Sequence, residues 1–183
     1  MMRPKDNMLL IADPFLQDDH FKRSVIYLCS HNKLGSIGFA LNKKFSHSLN
    51  QLIGGIDDFE IPVFVGGPVE NDSIHFIHQY PQLIRGSQKI SETIFWGGDF
   101  DCAKELILKE KLEYDKIKFF IGYSGWGAGQ LNGELKEKSW LLSHSNDSIV
   151  FNCPSESVWK ESILLMGPDY KEIINYPLDP QLN

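Results

Sequence analysis

Residues 119–131 read FFIGYSGWGAGQL, an apolar run that passes into four closely spaced glycines. The run predicts a strand over 117–123, and the spacing of Ala128, Leu131 and Leu135 predicts an amphipathic helix after the glycines. The first backbone N–H groups of a helix have no intrahelical partner, so this turn and the Gln130 amide are able to receive an anion. The favoured interpretation is instead a strand-to-helix turn packed too tightly to admit side chains.

The flanking sequence alternates short apolar runs with turn residues. Residues 24–29 are apolar on both faces, which predicts a central strand. Ser48 and Asp99 precede apolar segments and are predicted to cap helices, one at 49–53 and one that begins at residue 100. Further strands are predicted at 8–12, 37–41, 62–65, 74–78, 93–96 and 139–142, and a last helix at 155–166.

Length and charge restrict the class of protein. The chain has 183 residues, of which 42% are hydrophobic, and this is sufficient for one domain with its own core. We predict a single domain over 1–183, with an ordered core at about 8–175 and a loose tail at 176–183. Lysine and arginine together number 18 against 24 acidic residues, and the resulting net charge of −6 disfavours binding to nucleic acid.

The cysteines and the N-terminal segment indicate the compartment. Cys29, Cys102 and Cys153 are widely separated and form no C-x-x-C pair, which is typical of a reduced compartment. The apolar residues 8–12 are too few for a signal peptide or a membrane span. We therefore expect a cytoplasmic protein of bacterial type that does not associate with a membrane.

Ser124 suggests one enzymatic hypothesis. It lies in the sequence GYSGW, which resembles the nucleophile elbow G-x-S-x-G except that Trp126 replaces the last glycine. His144 and Asp147 follow, in the reverse of the order found in α/β-hydrolases, although a catalytic triad is defined by geometry rather than by order. A small hydrolase or transferase that uses Ser124 is therefore an alternative, less favoured than an ordinary turn.

Cofactor and metal motifs are incomplete. The glycines at 125–129 lack the last glycine of a dinucleotide fingerprint, because Gln130 occupies that position, and no Walker lysine follows. His75 and His78 are three residues apart in a predicted strand, so they point to opposite faces. We predict no cofactor and no metal site.

Two polar residues lie at the edges of apolar strands. An arginine such as Arg23 can bind a carboxylate or a phosphate through two hydrogen bonds. Arg23 can equally bind a neighbouring carbonyl group or Asp13, and Asn42 is also polar at a strand edge. The structural role is favoured for Arg23.

Five blocks of sequence, in order, resemble one known family. They are LIADPFLQD at 10–18, FKRSVIYLC at 21–29, GFALN at 38–42, GGPV at 66–69 and GYSGWGAGQL at 122–131. The blocks resemble the YqgE/AlgH family of bacterial proteins. This resemblance implies an α+β fold, a single compact domain with a mixed, branched and partly barrel-like β-sheet surrounded by helices. It implies no established reaction, and one branch of the family carries a transcriptional-regulator label.

The family pattern is matched at ten positions, to which the resemblance assigns no catalytic role. They are Asp13, Arg23, Ser24, Asn42, Gly66, Gly67, Pro68, Gly122, Trp126 and Gln130.

The leading hypothesis is a non-enzymatic binding or regulatory protein that acts through an unknown protein partner or a small anionic ligand held near the two glycine turns, at 66–67 and 122–129. It depends on paired glycine turns and isolated polar residues, together with the lack of a complete catalytic set in the sequence. A regulator that binds DNA directly is a third hypothesis, which the acidic charge disfavours. The candidate residues for a ligand site or a structural polar site are Asp13, Arg23, Asn42, Gly66, Gly67, Trp126, Gly127 and Gln130.

Overall fold

Backbone hydrogen bonds join nine strands into one sheet within residues 2–176, the part of the chain that the computed structural model describes. The strands are β1 (Met8–Ala12), β2 (Val25–Asn32), β3 (Gly35–Ala40), β4 (Val63–Val65), β5 (Val69–His78), β6 (Gln88–Lys89), β7 (Phe95–Trp96), β8 (Ile117–Gly127) and β9 (Trp140–His144). Four α-helices accompany them: α1 (Leu49–Leu52), α2 (Phe100–Leu108), α3 (Gln130–Lys136) and α4 (Val158–Leu165). Short 3₁₀ segments occupy Tyr114–Lys116 and Pro168–Asn175, and a π turn occupies Ser148–Asn152.

The sheet branches at β8. Its strand order is β6-β7-β5-β8-β3-β2-β1-β9, and β4 pairs with β8 outside this path. The first part of β8 lies between β5 and the parallel strand β4, whereas its last residues pair antiparallel with β3. The result is a curled, half-barrel sheet in an α+β domain, which confirms the predicted fold class.

The predicted end of β8 at Tyr123 was wrong. The strand continues to Gly127 because Ser36 and Ile37 of β3 pair with Trp126 and Gly125. The turn into α3 is therefore shorter than predicted, and Gly129 makes it with a left-handed φ of 76°.

Close crossing of two backbone segments explains the glycines before β5. A Cβ atom on Gly66 would overlap the carbonyl oxygen of Gly122 and lie 2.8 Å from the Phe39 ring. Gly122 has a φ of +64°, and a Cβ there would meet the carbonyl oxygens of Gly67 and Val69 at 2.6 and 2.8 Å. Side chains are excluded here, so these glycines serve packing between β8 and the β4–β5 connection.

The core confirms that β2 is a central strand. Residues 25–29 are fully buried, and alternate side chains enter different clusters. Tyr27 and Cys29 pack with Phe39 and Phe120, whereas Ile26 and Leu28 belong to the cluster on the opposite face. Burial also raises the pKa of the Cys29 thiol well above its ordinary value, as expected for a core cysteine.

Both predicted helix caps are confirmed. Ser48 forms a capping box with Gln51 at the start of α1, and the Asp99 carboxylate accepts hydrogen bonds from the N–H groups of Asp101 and Cys102 at 3.0 and 3.2 Å. The last predicted helix is present as α4, although it begins three residues later than predicted.

Tyr176, the first residue of the predicted loose tail, contacts the folded domain. The Tyr176 carbonyl accepts a hydrogen bond from Arg23 at 2.6 Å, and the Tyr176 ring packs on Phe15 with centroids 5.0 Å apart. Tyr176 is therefore held against the domain, and residues 177–183 lie outside the described residues.

Candidate functional site

The carboxylate of Glu134, in α3, binds side chains of the glycine-rich segment at 119–131. Glu134 Oε2 accepts hydrogen bonds from the indole N–H groups of Trp126 and Trp140 at 2.8 and 2.7 Å. Glu134 Oε1 accepts a third from Gln130 Nε2 at 3.0 Å. The Gly127 N–H in turn donates to Gln130 Oε1 at 3.0 Å. Of the groups predicted to receive an anion, the Gln130 amide therefore already binds a carboxylate of the chain itself, and the Gly127 N–H binds the Gln130 amide oxygen.

Ser124 is placed for packing. Its side chain is fully buried, and its hydroxyl donates to the Gly66 carbonyl at 2.9 Å. His144 is exposed at the edge strand β9, and Asp147 binds Gln79 and Thr93 instead. No hydrogen bond links Ser124 to His144 or Asp147 within residues 2–176, so the three do not form a triad there.

A groove of about 820 Å³ lies where β2 begins and the chain leaves β3. Arg23 has a left-handed φ of 55°, and Asn42 stabilises this conformation. The Asn42 amide donates to the Arg23 carbonyl at 2.8 Å, and its oxygen accepts from the Val25 N–H at 3.0 Å. Asn42 thus holds together the start of β2 and the end of the β2–β3 hairpin.

The Arg23 guanidinium forms one wall of the groove. It lies over the Trp159 ring, 3.9 Å from the ring centroid, and donates to the Tyr176 carbonyl. Burial lowers the pKa of Arg23, and the charge of Asp13 opposes this effect. The Asp13 carboxylate itself accepts a hydrogen bond from the Phe15 N–H at 2.9 Å. The favoured structural role of Arg23 is thus supported by contacts on both sides of the guanidinium.

Cations predominate along the groove. Five cationic side chains line it against two carboxylates, and they are Lys22, Arg23, Lys43, Lys44 and Lys160, with Asp19 and Glu156 as the acids. Lys43 Nζ donates to the Lys22 carbonyl at 2.6 Å. Burial, followed by repulsion from Lys22, lowers the pKa of Lys43, which indicates a crowded positive environment.

Three of these lysines have no partner within the described residues. The side chains of Lys22, Lys44 and Lys160 form neither a hydrogen bond nor an ion pair between residues 2 and 176. Trp159, Ile174 and Tyr176 supply an apolar wall beside them. The arrangement combines uncompensated positive charge with an apolar surface, in a concavity of the size that small ligands occupy.

The candidate residues predicted from sequence thus fall into three places. Arg23 and Asn42 line the groove, with Asp13 near Arg23. Gly66 and Gly67 lie at the crossing with β8, and Trp126, Gly127 and Gln130 belong to the Glu134 network.

The lysines of the groove were missed, although the sequence contains a signal for them. Lys22-Arg23 immediately precedes β2, and Lys43-Lys44 follows Asn42 at the end of the hairpin. In an antiparallel hairpin the start of the first strand and the end of the second are neighbours, as the pairing of Ile26 with Ala40 shows. Two basic doublets at these positions therefore converge.

The histidines lie in different surroundings. His78 Nε2 is 3.0 Å from the Gly97 carbonyl oxygen and its ring packs near Phe95, whereas His75 contacts Phe39 and Tyr123. Among residues 2–176, no three or more His, Cys, Asp or Glu side chains are grouped to hold a metal ion. None of the helices in this part of the chain is long and apolar enough to cross a membrane.

Comparison with known sequences identifies relatives along almost the whole chain. The model of the AlgH-like family matches residues 9–171. A UPF0301 protein of Cytophaga hutchinsonii is 43% identical over 176 residues, which cover 96% of this chain and 97% of the relative. A UPF0301 protein of Parabacteroides distasonis is 43% identical over 182 residues, which cover 98% of this chain and 92% of the relative.

Two solved structures share the fold. A crystal structure of a Corynebacterium diphtheriae protein has a TM-score of 0.80 at 18% identity, and covers 96% of this chain and 94% of its own. The solution structure of AlgH from Pseudomonas aeruginosa has a TM-score of 0.77 at 23% identity, and covers 97% of both chains. At these identities the likeness concerns the fold alone.

Proposed function

The chain belongs to the AlgH-like family, and from this premise we propose that it is a binding protein for a small anionic ligand, held in the groove beside Arg23, Asn42 and Trp159. The ligand carries at least two negative charges, as phosphate or carboxylate groups, and an apolar part that contacts Trp159. The carrying observation is the convergence of five cationic side chains on one groove of a chain whose net charge is −6.

The charge distribution supports an anion rather than a cation. Repulsion among Lys22, Lys43 and Lys44 costs free energy in the unliganded protein, and a bound polyanion removes this cost. The lysine side chains lie partly in water, so the attraction is screened by salt and should weaken as ionic strength rises.

The groove also has parts that provide selectivity. Arg23 is held by Trp159 and by the Tyr176 carbonyl, so its position is fixed before a ligand arrives. Lys22, Lys44 and Lys160 supply flexible charge around this fixed centre. A fixed guanidinium with mobile ammonium groups favours a compact polyanion over a long peptide.

Isothermal titration calorimetry of the full chain with pyrophosphate, citrate and ATP tests the proposal. We expect saturable binding of at least one probe, weakened at high salt. A probe at a hundred times its dissociation constant would add about 2.7 kcal/mol to the free energy of unfolding in a parallel thermal melt.

Charge-matched variants separate a site from a general charge effect. In the test variant, lysines of the groove become glutamine at Lys22, Lys44 and Lys160. In the control variant, exposed lysines outside the groove become glutamine at Lys5, Lys33 and Lys111. Binding lost only in the test variant supports the site. No binding by the wild type, or equal loss in both variants, would overturn the proposal.

A further inference from the structure

A buried lysine lies beside the groove without a counter-ion. Lys118 is only 6% exposed, and its Nζ donates to the Val150 carbonyl at 3.0 Å. The same Nζ lies over the Phe64 ring, 4.4 Å from the centroid. Lys118 forms no ion pair with any residue from 2 to 176. An isolated buried ammonium is costly, so burial shifts the equilibrium of Lys118 towards the neutral amine.

Lys118 lines a cavity that adjoins the groove. This cavity measures about 200 Å³, and Lys118, Phe64, Phe151 and Cys153 contribute to its walls. Three further residues, Lys44, Ser155 and Glu156, line both the cavity and the groove. The cavity and the groove therefore adjoin each other at these three residues.

We propose that Lys118 is an amine nucleophile that forms an imine with a small aldehyde carrying a carboxylate or phosphate group. The Nζ lone pair attacks the carbonyl carbon, a C–N bond forms, and the carbonyl π electrons move to the oxygen, which takes one of the two amine protons. The nitrogen lone pair then forms the C=N bond as the C–O bond breaks, and the departing hydroxyl takes the second amine proton and leaves as water. No oxidant or reductant is needed for this step, and the anionic group lies near Lys44. This choice of an anionic aldehyde rests on the proposed function of the groove.

The surroundings favour the amine over the neighbouring thiol. Burial lowers the pKa of Lys118 to about 8, so a large fraction of this amine is neutral in mildly alkaline solution. Burial and repulsion from Glu161 raise the pKa of the Cys153 thiol, which keeps it protonated. Exposed lysines keep almost all of their amines protonated under the same conditions.

Reductive trapping tests the inference on the full-length protein. The protein is incubated at about pH 8 with glyoxylate or acetaldehyde and cyanoborohydride, and labelled lysines are identified by peptide mass spectrometry. We expect glyoxylate to label Lys118 at least about tenfold faster than the exposed Lys33, because a larger fraction of the Lys118 amine is neutral. Labelling of Lys118 no faster than that of Lys33 would overturn the inference.

Variants distinguish this inference from the proposal about the groove. Lys118→Arg keeps the positive charge but cannot be trapped as an imine, so its label should be lost while calorimetric binding of the polyanions remains. The glutamine variant of Lys22, Lys44 and Lys160 should lose the preference for glyoxylate but keep labelling by acetaldehyde. Equal labelling by both aldehydes in the wild type would overturn the anionic substrate class, whatever the calorimetry shows.

Discussion

The glycine-rich segment and the groove both contain polar groups beside the sheet, yet they use these groups in opposite ways. In the glycine-rich segment, Glu134 takes hydrogen bonds from Trp126, Trp140 and Gln130, so donors and acceptor satisfy one another. In the groove, the side chains of Lys22 and Lys44 have no partner in the described part of the chain. The first arrangement pairs its polar groups within the fold, whereas the second leaves positive charge without a partner in the described residues, which is the basis of the proposed ligand site.

A conspicuous sequence motif and a candidate binding site need not coincide in the fold. The glycines allow β8 to cross the β4–β5 connection at a distance that no side chain would permit. The groove has no compact motif, because its cations come from three separate segments of the chain. The function proposed for the groove rests on the side chains that remain unpaired after folding.

Among the substitutions proposed, Gly66→Ala should cause the largest loss in the free energy of unfolding. The added methyl group would overlap the Gly122 carbonyl oxygen, a backbone atom of β8 that cannot move independently. We expect a loss of about 3 kcal/mol or more in the free energy of unfolding, measured by urea denaturation.

Gly133→Ala is the matched control for this substitution. Gly133 lies within α3, and a Cβ atom there would meet nothing within 4 Å. The exchange should stabilise the protein by about 0.5 to 1 kcal/mol, because alanine loses less conformational entropy in a helix. A mild effect of Gly66→Ala would contradict the packing role of the glycines.

Glu134→Ala tests whether the three hydrogen bonds that Glu134 accepts stabilise the fold. The substitution leaves the indole N–H groups of Trp126 and Trp140 without their acceptor, and we expect a loss of about 2 to 3 kcal/mol by urea denaturation. Glu137→Ala removes the same charge from an exposed position near the end of α3 and should have little effect.

Added formate can replace the missing carboxylate in the Glu134→Ala protein. If the carboxylate of Glu134 fills an anion site, formate should restore part of the stability of Glu134→Ala and should not stabilise Glu137→Ala. Equal stability of the wild type and Glu134→Ala would show that the three hydrogen bonds contribute nothing to the fold.

Lys118, in the cavity beside the groove, should make the free energy of unfolding depend on pH. Burial lowers the pKa of Lys118 to about 8 in the folded protein, below the ordinary value of 10.5 for the unfolded chain. The folded state therefore releases this proton first, and the stability of the wild type should rise relative to Lys118→Met as pH increases. We expect a relative gain of about 2 kcal/mol between about pH 7 and about pH 9.5, from urea denaturation of both proteins.

The comparison with Lys118→Met cancels the titration of other buried groups. Tyr27 and Cys29 have raised pKa values in both proteins, so their contributions do not enter the difference. Cys153 and Lys118 affect each other's pKa through their charges, and the measurement is therefore repeated with Cys153→Ser in both proteins. A difference that does not change with pH would mean that the Lys118 amine keeps its ordinary pKa.

Local signals predicted more of the molecule than long-range ones. Ser48 and Asp99 cap their helices as predicted, because a cap depends on residues within one turn. The extension of β8 to Gly127 could not be predicted, since it depends on pairing with β3, more than eighty residues earlier in the chain. Prediction of the groove also requires long-range contacts. Lys160 on α4 reaches the groove through the packing of α4 against β1 and β2.

Ser124→Ala should cause the smallest loss in the free energy of unfolding. It also tests whether the Ser124 hydroxyl has a chemical role. The Gly66 carbonyl that accepts from Ser124 also accepts from the Ala40 N–H at 2.9 Å, so removal of the hydroxyl leaves no buried acceptor unpaired. We expect a loss of about 1 kcal/mol by urea denaturation. Polyanion binding and the trapping of Lys118 should remain unchanged, because Ser124 lines neither the groove nor its cavity. If the wild type hydrolyses p-nitrophenyl acetate faster than the Ser124→Ala protein, the hydroxyl reacts despite its burial, and the glycine-rich segment then has a chemical role as well as a structural one.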